Sequence, residues 1–398
     1  MFFKEKLILD KEKVQKVIIS KNFTFKDEEM FFDFCQINGR CCLIKHDNRG
    51  KKRKFWITSE GGKPSYLLKY ETRSNETQEN AGQYIMSGIL KQLNFPGTEY
   101  LVTTFKKDGK YYDAILSKNY RETDDVVEIS GLGLNNKFFQ REFDNNMGQK
   151  PQIHHSVNFY IDVLKKLYGR NNINFTAIRR DLVKIALLQY VYVMSDLHFY
   201  NLSFMYNEKK GHKSMRIVPL YDCGNICTLN LSTEKIKNNL MQLQKTSKKR
   251  MVVDNFFHSK MPMFGIETEL CYAYQENLNS LDICRPNWEK RKGDEKIKAA
   301  AIDLEIFREE ITKEIIRDEE IAKFYEDIKT KVNIDEIYSY YNGIKNGVIP
   351  EYCAELVKEI SKVNIKTLNK QIKKQKEQPV EQITESKNPN KDERGIKW

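Results

Sequence analysis

Apolar and polar positions follow two rhythms along the chain, and the change falls near residue 122. Before it, short runs rich in aromatic and branched residues stand between turn-forming clusters. Residues 41–45, 54–57, 66–70, 100–105 and 111–117 read as strands, with 46–50 as the turn between the first two. One helix interrupts them. Ala81, Tyr84, Ile85, Gly88 and Ile89 recur at helical spacing within residues 77–93, and Asn94-Phe95-Pro96-Gly97 stops it. Residues 11–19 fit a strand or a short helix equally well.

After residue 122 helical spacing dominates. Helices are predicted over 156–168, 175–194, 233–245, 298–316, 319–330, 335–345, 350–361 and 363–375, and no internal repeat is visible. The segment 185–194 is apolar nearly all round, the mark of a buried helix. It runs straight into Ser195-Asp196-Leu197-His198-Phe199-Tyr200-Asn201. A buried helix with that ending must deliver its polar groups to a cleft or leave them unpaired.

Residues 202–206 and 216–221 read as a strand pair around a turn at 207–211. Antiparallel neighbours lie roughly 4.8 Å apart, so Asn201, entering the first strand, sits beside Asp222, leaving the second. Asp196 is one tight turn away. One amide and two carboxylates suit Mg²⁺, a hard cation that takes oxygen ligands and shares itself with phosphates. The competing reading is a turn rich in Asp and Asn that only caps structure.

Composition narrows the picture further. The 398 residues carry 40% hydrophobic and 12% aromatic content, enough for one large domain or two packed units. The eight cysteines form no Cys-x-x-Cys pair, which argues against a zinc site or disulfide framework and for reduced core thiols in a cytoplasmic protein. Cys223 and Cys227 are read as packing residues, since thiolate is a poor partner for Mg²⁺. Lys4-Glu5-Lys6 directly after Met1-Phe2-Phe3 argues against a secretory leader, and no run approaches the roughly 20 apolar residues of a membrane span. A formal charge of +12 suits a polyanionic ligand such as a nucleotide, a nucleic acid or an acidic protein surface. The basic runs at 45–54 and 245–250 could touch the phosphates of any nucleic acid.

Asp196-x-His198-x-x-Asn201, the strand pair, and Pro219-Leu220-Tyr221-Asp222-Cys223-Gly224 together resemble the catalytic and metal-binding segments of the HipA-like serine/threonine kinases. The match is best to the short, single-module members and extends over residues 40–265. It implies an α+β, two-lobed, protein-kinase-like fold. A small antiparallel β lobe with one helix would occupy 1–122 and a larger helical lobe 123–372. The polar segment 373–398 is expected to be a disordered tail on composition.

The resemblance also implies ATP and Mg²⁺ as cofactors. In the family pattern Asp196 orients or deprotonates the acceptor hydroxyl, while Asn201 and Asp222 hold Mg²⁺ on the nucleotide phosphates. Lys69 falls at the position of the strand lysine. Gly50, Lys51 and Lys52 resemble the short glycine-lysine phosphate loop, although an ordinary hairpin turn would look the same and residues 60–63 are a rival. Where a helix glutamate would pair the lysine, this chain has Gln83. Either Glu79, one turn earlier, reaches Lys69, or Gln83 substitutes a neutral hydrogen bond. His198 and Ser195 are expected to shape the loop, and 117–120 to form the hinge against the adenine.

The implied activity is phosphorylation of protein Ser/Thr, on a protein substrate or on the chain itself, in a toxin- or effector-like setting with a DNA-binding antitoxin-like partner. Two alternatives stand beside it. One is a small-molecule kinase on the same fold. The other is a catalytically weak, kinase-like binding module working with a nucleic-acid-binding partner. Retention of Lys69, Asp196, Asn201 and Asp222 together favours an active enzyme.

Overall fold

The structure is a computed structural model that describes residues 24–25, 42–47, 53–59, 64–70, 78–107, 110–118, 120, 125–130, 134, 156–194, 197, 201–258, 265–267 and 294–377. The expectations for residues 11–19 and for the tail beyond 377 lie outside them. Within them the protein is a mixed α and β structure, mostly helical, with two antiparallel sheets.

The first sheet has six strands: β1 (Thr24–Phe25), β2 (Cys42–Asp47), β3 (Arg53–Ser59), β4 (Pro64–Tyr70), β5 (Tyr100–Lys107) and β6 (Lys110–Lys118). Their order is β1-β5-β6-β4-β3-β2, with every pairing antiparallel. Central strand β4 therefore sets Lys69 between Lys54 of β3 and Ile115 of β6. Helix α1 (Glu79–Gln92) crosses between strands in sequence, as its apolar face predicts. Its Tyr84 hydroxyl donates to the Ala114 carbonyl of β6 at 3.3 Å.

Past residue 122 the chain opens with a strand, not a helix. β7 (Val126–Ser130) pairs with β8 (Ser203–Asn207), setting Val127 opposite Tyr206 and Ile129 opposite Phe204. The short Val-Val-Glu-Ile run, behind an acidic stretch, gives little alternation to read. The returning strand expected over 216–221 shrinks to β9 (Arg216–Ile217). Pro219 has no N–H for a ladder. Leu220 turns instead to the residues after α1, donating to the Pro96 carbonyl at 3.1 Å and accepting from Thr98 at 2.8 Å.

The remaining described elements are helices: α2 (Val157–Tyr168), α3 (Phe175–Tyr192), α4 (Thr233–Lys245), α5 (Lys249–His258), α6 (Asp294–Arg317), α7 (Glu319–Thr330), α8 (Ile334–Ile344) and α9 (Glu351–Lys376). The two helices expected over 350–361 and 363–375 are thus one. Asn364, which breaks the apolar stripe, is buried, and its amide donates to the carbonyls of Tyr190 and Val191 at 2.9 and 3.2 Å. A polar residue there is a cross-helix clasp, satisfying helix-end carbonyls that have no intrahelical partner.

Helix α3 is the spine of the core. Asn174 caps its start, accepting from Ala177 N–H at 3.0 Å. From Ile185 to Tyr192 every residue is buried, as its all-round apolar pattern requires. Buried Arg308 of α6 ties three helices together: it donates to the Tyr190 hydroxyl of α3 at 2.7 Å and pairs with Asp254 of α5. A buried guanidinium is tolerable only when its donors are so matched.

Candidate active site

The exit of α3 is abrupt. Val193 takes a left-handed φ of +47°, unusual for a β-branched side chain. The buried Gln189 amide holds the turn by donating to the Met194 carbonyl at 3.2 Å. Cys227 braces it from the other side. Its backbone N–H reaches the Tyr192 carbonyl at 2.9 Å and its thiol donates to the same oxygen at 3.1 Å. Burial pushes the Cys227 thiol well above its usual range, so it stays protonated and serves packing, as the sequence suggested. The segment 222–228 is therefore docked on the end of the helix that launches residues 194–201.

Asp222 is the centre of this docking. Its φ is +56°, a left-handed conformation that Asp tolerates and that concentrates at functional turns. Its N–H donates to the Tyr100 hydroxyl at 2.9 Å. Burial, then the Asp222 charge, hold that Tyr100 hydroxyl well above the usual phenol range. The Asp222 carboxylate receives Lys69 Nζ on Oδ1 at 2.9 Å, across 153 positions of sequence. Gln83 Nε2 donates to the same Oδ1 at 3.2 Å.

Lys69 is buried, with 7% of its surface exposed, while the Asp222 side chain is 39% exposed. A buried ammonium needs an opposite charge, and Asp222 supplies it. The lysine's ion partner is therefore Asp222, not the helix residue at 79 or 83. Gln83 enters as a second donor to the carboxylate, and its own Oε1 is buried with no hydrogen-bond partner among the described residues.

Asn201 joins Asp222 in lining a small cavity of about 10 Å³ with Met194, Leu197, Tyr221, Cys223 and Asn225. That is the volume of about one water. The cavity wall is mostly apolar, but Asn201 and Asp222 bring an amide and a carboxylate to it, a donor set suited to a hard cation, and Mg²⁺ uses just one or two protein carboxylates beside phosphates. The residues present fit the ion. Tyr221 stacks on Tyr120 with ring centroids 5.8 Å apart, and Tyr120 donates to Glu128 at 2.7 Å, so the segment after β6 packs beside the same site.

Among the sequence-predicted residues, Lys69, Gln83, Asn201 and Asp222 converge. Glu79 begins α1 with its carbonyl against Gly224, where an added Cβ would lie 2.6 Å from it. Asp196, Ser195, His198, Gly50, Lys51, Lys52 and residues 60–63 lie outside the described residues. Gly82 and Tyr100 were missed. Gly82 had a signal: a glycine inside a helix costs about 1 kcal/mol against alanine and is kept for a reason such as close approach. Tyr100 had none, since its contact is made across 122 positions.

No family model and no curated relative matches the sequence. Among solved structures the chain is similar to the proinflammatory kinase CtkA of Helicobacter pylori, at 12% identity and a TM-score of 0.49 over 85% of this chain and 98% of that one. It is also similar to HipA of the Shewanella oneidensis MR-1 toxin–antitoxin system, solved with HipB and its operator DNA. That match has 14% identity and a TM-score of 0.40 over 93% of this chain and 73% of that one.

Proposed function

We propose that the chain is an ATP- and Mg²⁺-dependent phosphotransferase, a HipA-like protein serine/threonine kinase. The observation that carries this reading is the Lys69–Asp222 pair at 2.9 Å, with Asn201 on the same cavity as Asp222. Two distant parts of the sequence, Lys69 and the 201–222 segment, bring together one cation and two oxygen donors, the set that phosphoryl transfer needs.

In this reading the six-stranded sheet with α1 is the nucleotide lobe and the helices beyond residue 122 are the catalytic lobe. Asn201 and Asp222 hold Mg²⁺, which when bound neutralises charge on the phosphates. Lys69 moves from Asp222 to the phosphates. Gln83 keeps the Asp222 carboxylate oriented by its amide. Asp196 accepts the proton of the acceptor hydroxyl, and Gly50, Lys51 and Lys52 cover the phosphates. The acceptor is a protein or the chain itself, and the setting is cytoplasmic, toxin-like and paired with a DNA-binding antitoxin-like partner. No described helix is long and apolar enough to cross a membrane.

One observation favours the weaker alternative of a kinase-like binding module: a glutamine, not a carboxylate, stands at position 83 beside the lysine. Transfer of labelled γ-phosphate to the chain or to lysate proteins decides between the two. Alongside it, Mg²⁺–ATP should raise the melting temperature by mass action, and Asp222→Ala should abolish most of that rise. An unchanged rise in Asp222→Ala would place the metal elsewhere. A rise without transfer would favour the binding module.

A further inference from the structure

A second cavity, of about 430 Å³, opens between the start of α5 and one face of α9. It shares no lining residue with the cavity at Asp222. Lys366, Lys370 and Lys374 line it from α9, and Lys249 and Arg250 from the first turn of α5.

The α9 lysines stand at i, i+4 and i+8, so they share one face and span about 12 Å along the axis. Repeated like charges at that spacing weaken a helix. Three of the other four lysines of α9 are treated differently. Lys358 pairs with Asp335, Lys362 with Glu359 and Lys373 with Glu377. Lys366, Lys370 and Lys374 have no ion pair among the described residues, and all three are exposed. The one acid on the cavity wall, Glu305, is already taken by Arg250 and Arg308. Lys249 is partly neutralised by Glu359 at 2.6 Å. The cavity is thus strongly electropositive, with three uncommitted ammonium groups, beside the electropositive start of a ten-residue helix.

We infer that this cavity binds a phosphate-bearing anion of several charges and nucleotide size, separate from the proposed catalytic nucleotide. The volume falls in the range of small-molecule sites. Lysine ammonium groups act as point charges that phosphate oxygens can meet from many directions, whereas the one guanidinium on the wall is committed elsewhere. A concave wall holds a compact ligand, unlike the open track that a nucleic-acid backbone follows.

Titration calorimetry of the full chain with inorganic tripolyphosphate, in EDTA and low salt, tests this. Saturable one-to-one binding in the micromolar range is expected, weakening as salt rises. Lys366→Glu with Lys370→Glu should weaken it by about a hundredfold, roughly tenfold per lost charge-assisted contact. Lys370→Gln alone should weaken it about tenfold and serves if the double variant folds poorly. Lys69→Ala should bind like wild type, because Lys69 is bonded to Asp222 at the other cavity and does not line this one. No wild-type binding below about 1 mM would overturn the site, as would unchanged affinity in Lys370→Gln or loss of binding in Lys69→Ala. A single-stranded oligonucleotide held more tightly than tripolyphosphate through the same lysines would assign the surface to nucleic acid and overturn the small-ligand class.

Discussion

Gly82 and Gly224 meet backbone to backbone. A Cβ on Gly82 would lie 2.1 Å from the Gly224 carbonyl oxygen, and one on Gly224 would lie 2.6 Å from the Glu79 carbonyl oxygen. Neither distance is physically possible, so α1 can rest on the Asp222–Gly224 turn only because both positions lack a side chain. The Gln78 N–H bond to the Leu229 carbonyl at 2.8 Å fastens the same junction. This contact sets how far Gln83 projects toward Asp222.

Gly82→Ala should therefore behave unlike an ordinary helix substitution. Alanine improves helix propensity by about 1 kcal/mol, but overpacking against rigid backbone costs about 1–3 kcal/mol. Net destabilisation is expected in urea, with a reduced Mg²⁺–ATP melting shift, because α1 must move off the turn. Gly343 in α8 is the control: nothing lies within 4 Å of its added Cβ. Gly343→Ala should be neutral or stabilising by up to about 1 kcal/mol. Equal effects of the two variants would remove steric approach as the reason for Gly82.

Gln83→Glu should redistribute the lysine. Lys69 and Gln83 both donate to Oδ1 of Asp222, so a carboxylate at 83 lies within reach of the same ammonium. It would also face Asp222 as a like charge. The expected result is a folded protein destabilised by about 1 kcal/mol without ligand. Metal affinity should rise several-fold, as Asp222 is released from Lys69. Magnesium titration of the melting temperature reads both. Weaker metal binding would mean that the Gln83 amide is needed as a donor to Asp222.

Asp196→Ala and Asn201→Ala should separate chemistry from binding. If Asp196 positions the acceptor hydroxyl, its loss should lower transfer by about 10²–10⁴-fold with ATP affinity largely kept. Asn201 shares the Asp222 cavity, so its loss should weaken both metal binding and turnover. ATP affinity and transfer rate, measured side by side on protein free of other kinases, distinguish the two. Near wild-type transfer by Asp196→Ala would end the catalytic-loop assignment.

Stability should fall at alkaline pH. Burial pushes the Cys353 thiol from 9.0 up to about 12, and the Tyr190 and Tyr341 hydroxyls from 10.0 up to about 12. Each folded-state value lies above the unfolded one, so the folded chain keeps protons that the unfolded chain gives up. The contribution is complete below pH 9.0 and is lost as pH rises through the window to about 12. The slope is at most about 1.4 kcal/mol per pH unit for each group. Urea midpoints at stepped pH should decline from pH 9.0 upward, and Cys353→Ala should flatten the first part of that decline. A wild-type midpoint constant to pH 11 would contradict the burial argument.

The elements with strong periodicity were legible from sequence. The apolar run of α3 and the amphipathic face of α1 fall where the pattern puts them. The short strand β7 was not legible, because its pairing is decided by a distant neighbour: Ile129 lies opposite Phe204, 75 positions on. The break expected at 362 is absent: α9 runs through it, and buried Asn364 just beyond finds its partners in carbonyls on another helix. At the candidate site the residue types could be read, since Asn201 and Asp222 bracket a local strand pair. The Lys69–Asp222 pairing was foreseen only as proximity. Which partner the ammonium takes depends on how deep α1 seats, and two glycines with no chemistry of their own decide that.

The clasp of Asn364 on the last turn of α3 has a consequence for how this protein can be divided. Met194, Leu197 and Asn201 follow a helix end that a C-terminal element holds in place. A shortened version lacking α9 would keep every residue of the candidate site and still lose the frame that presents them. Minimal versions for crystallisation or display should therefore retain the chain through Lys376, and evolutionary trimming from that side would first erode the alignment of the site, before any residue within it had changed.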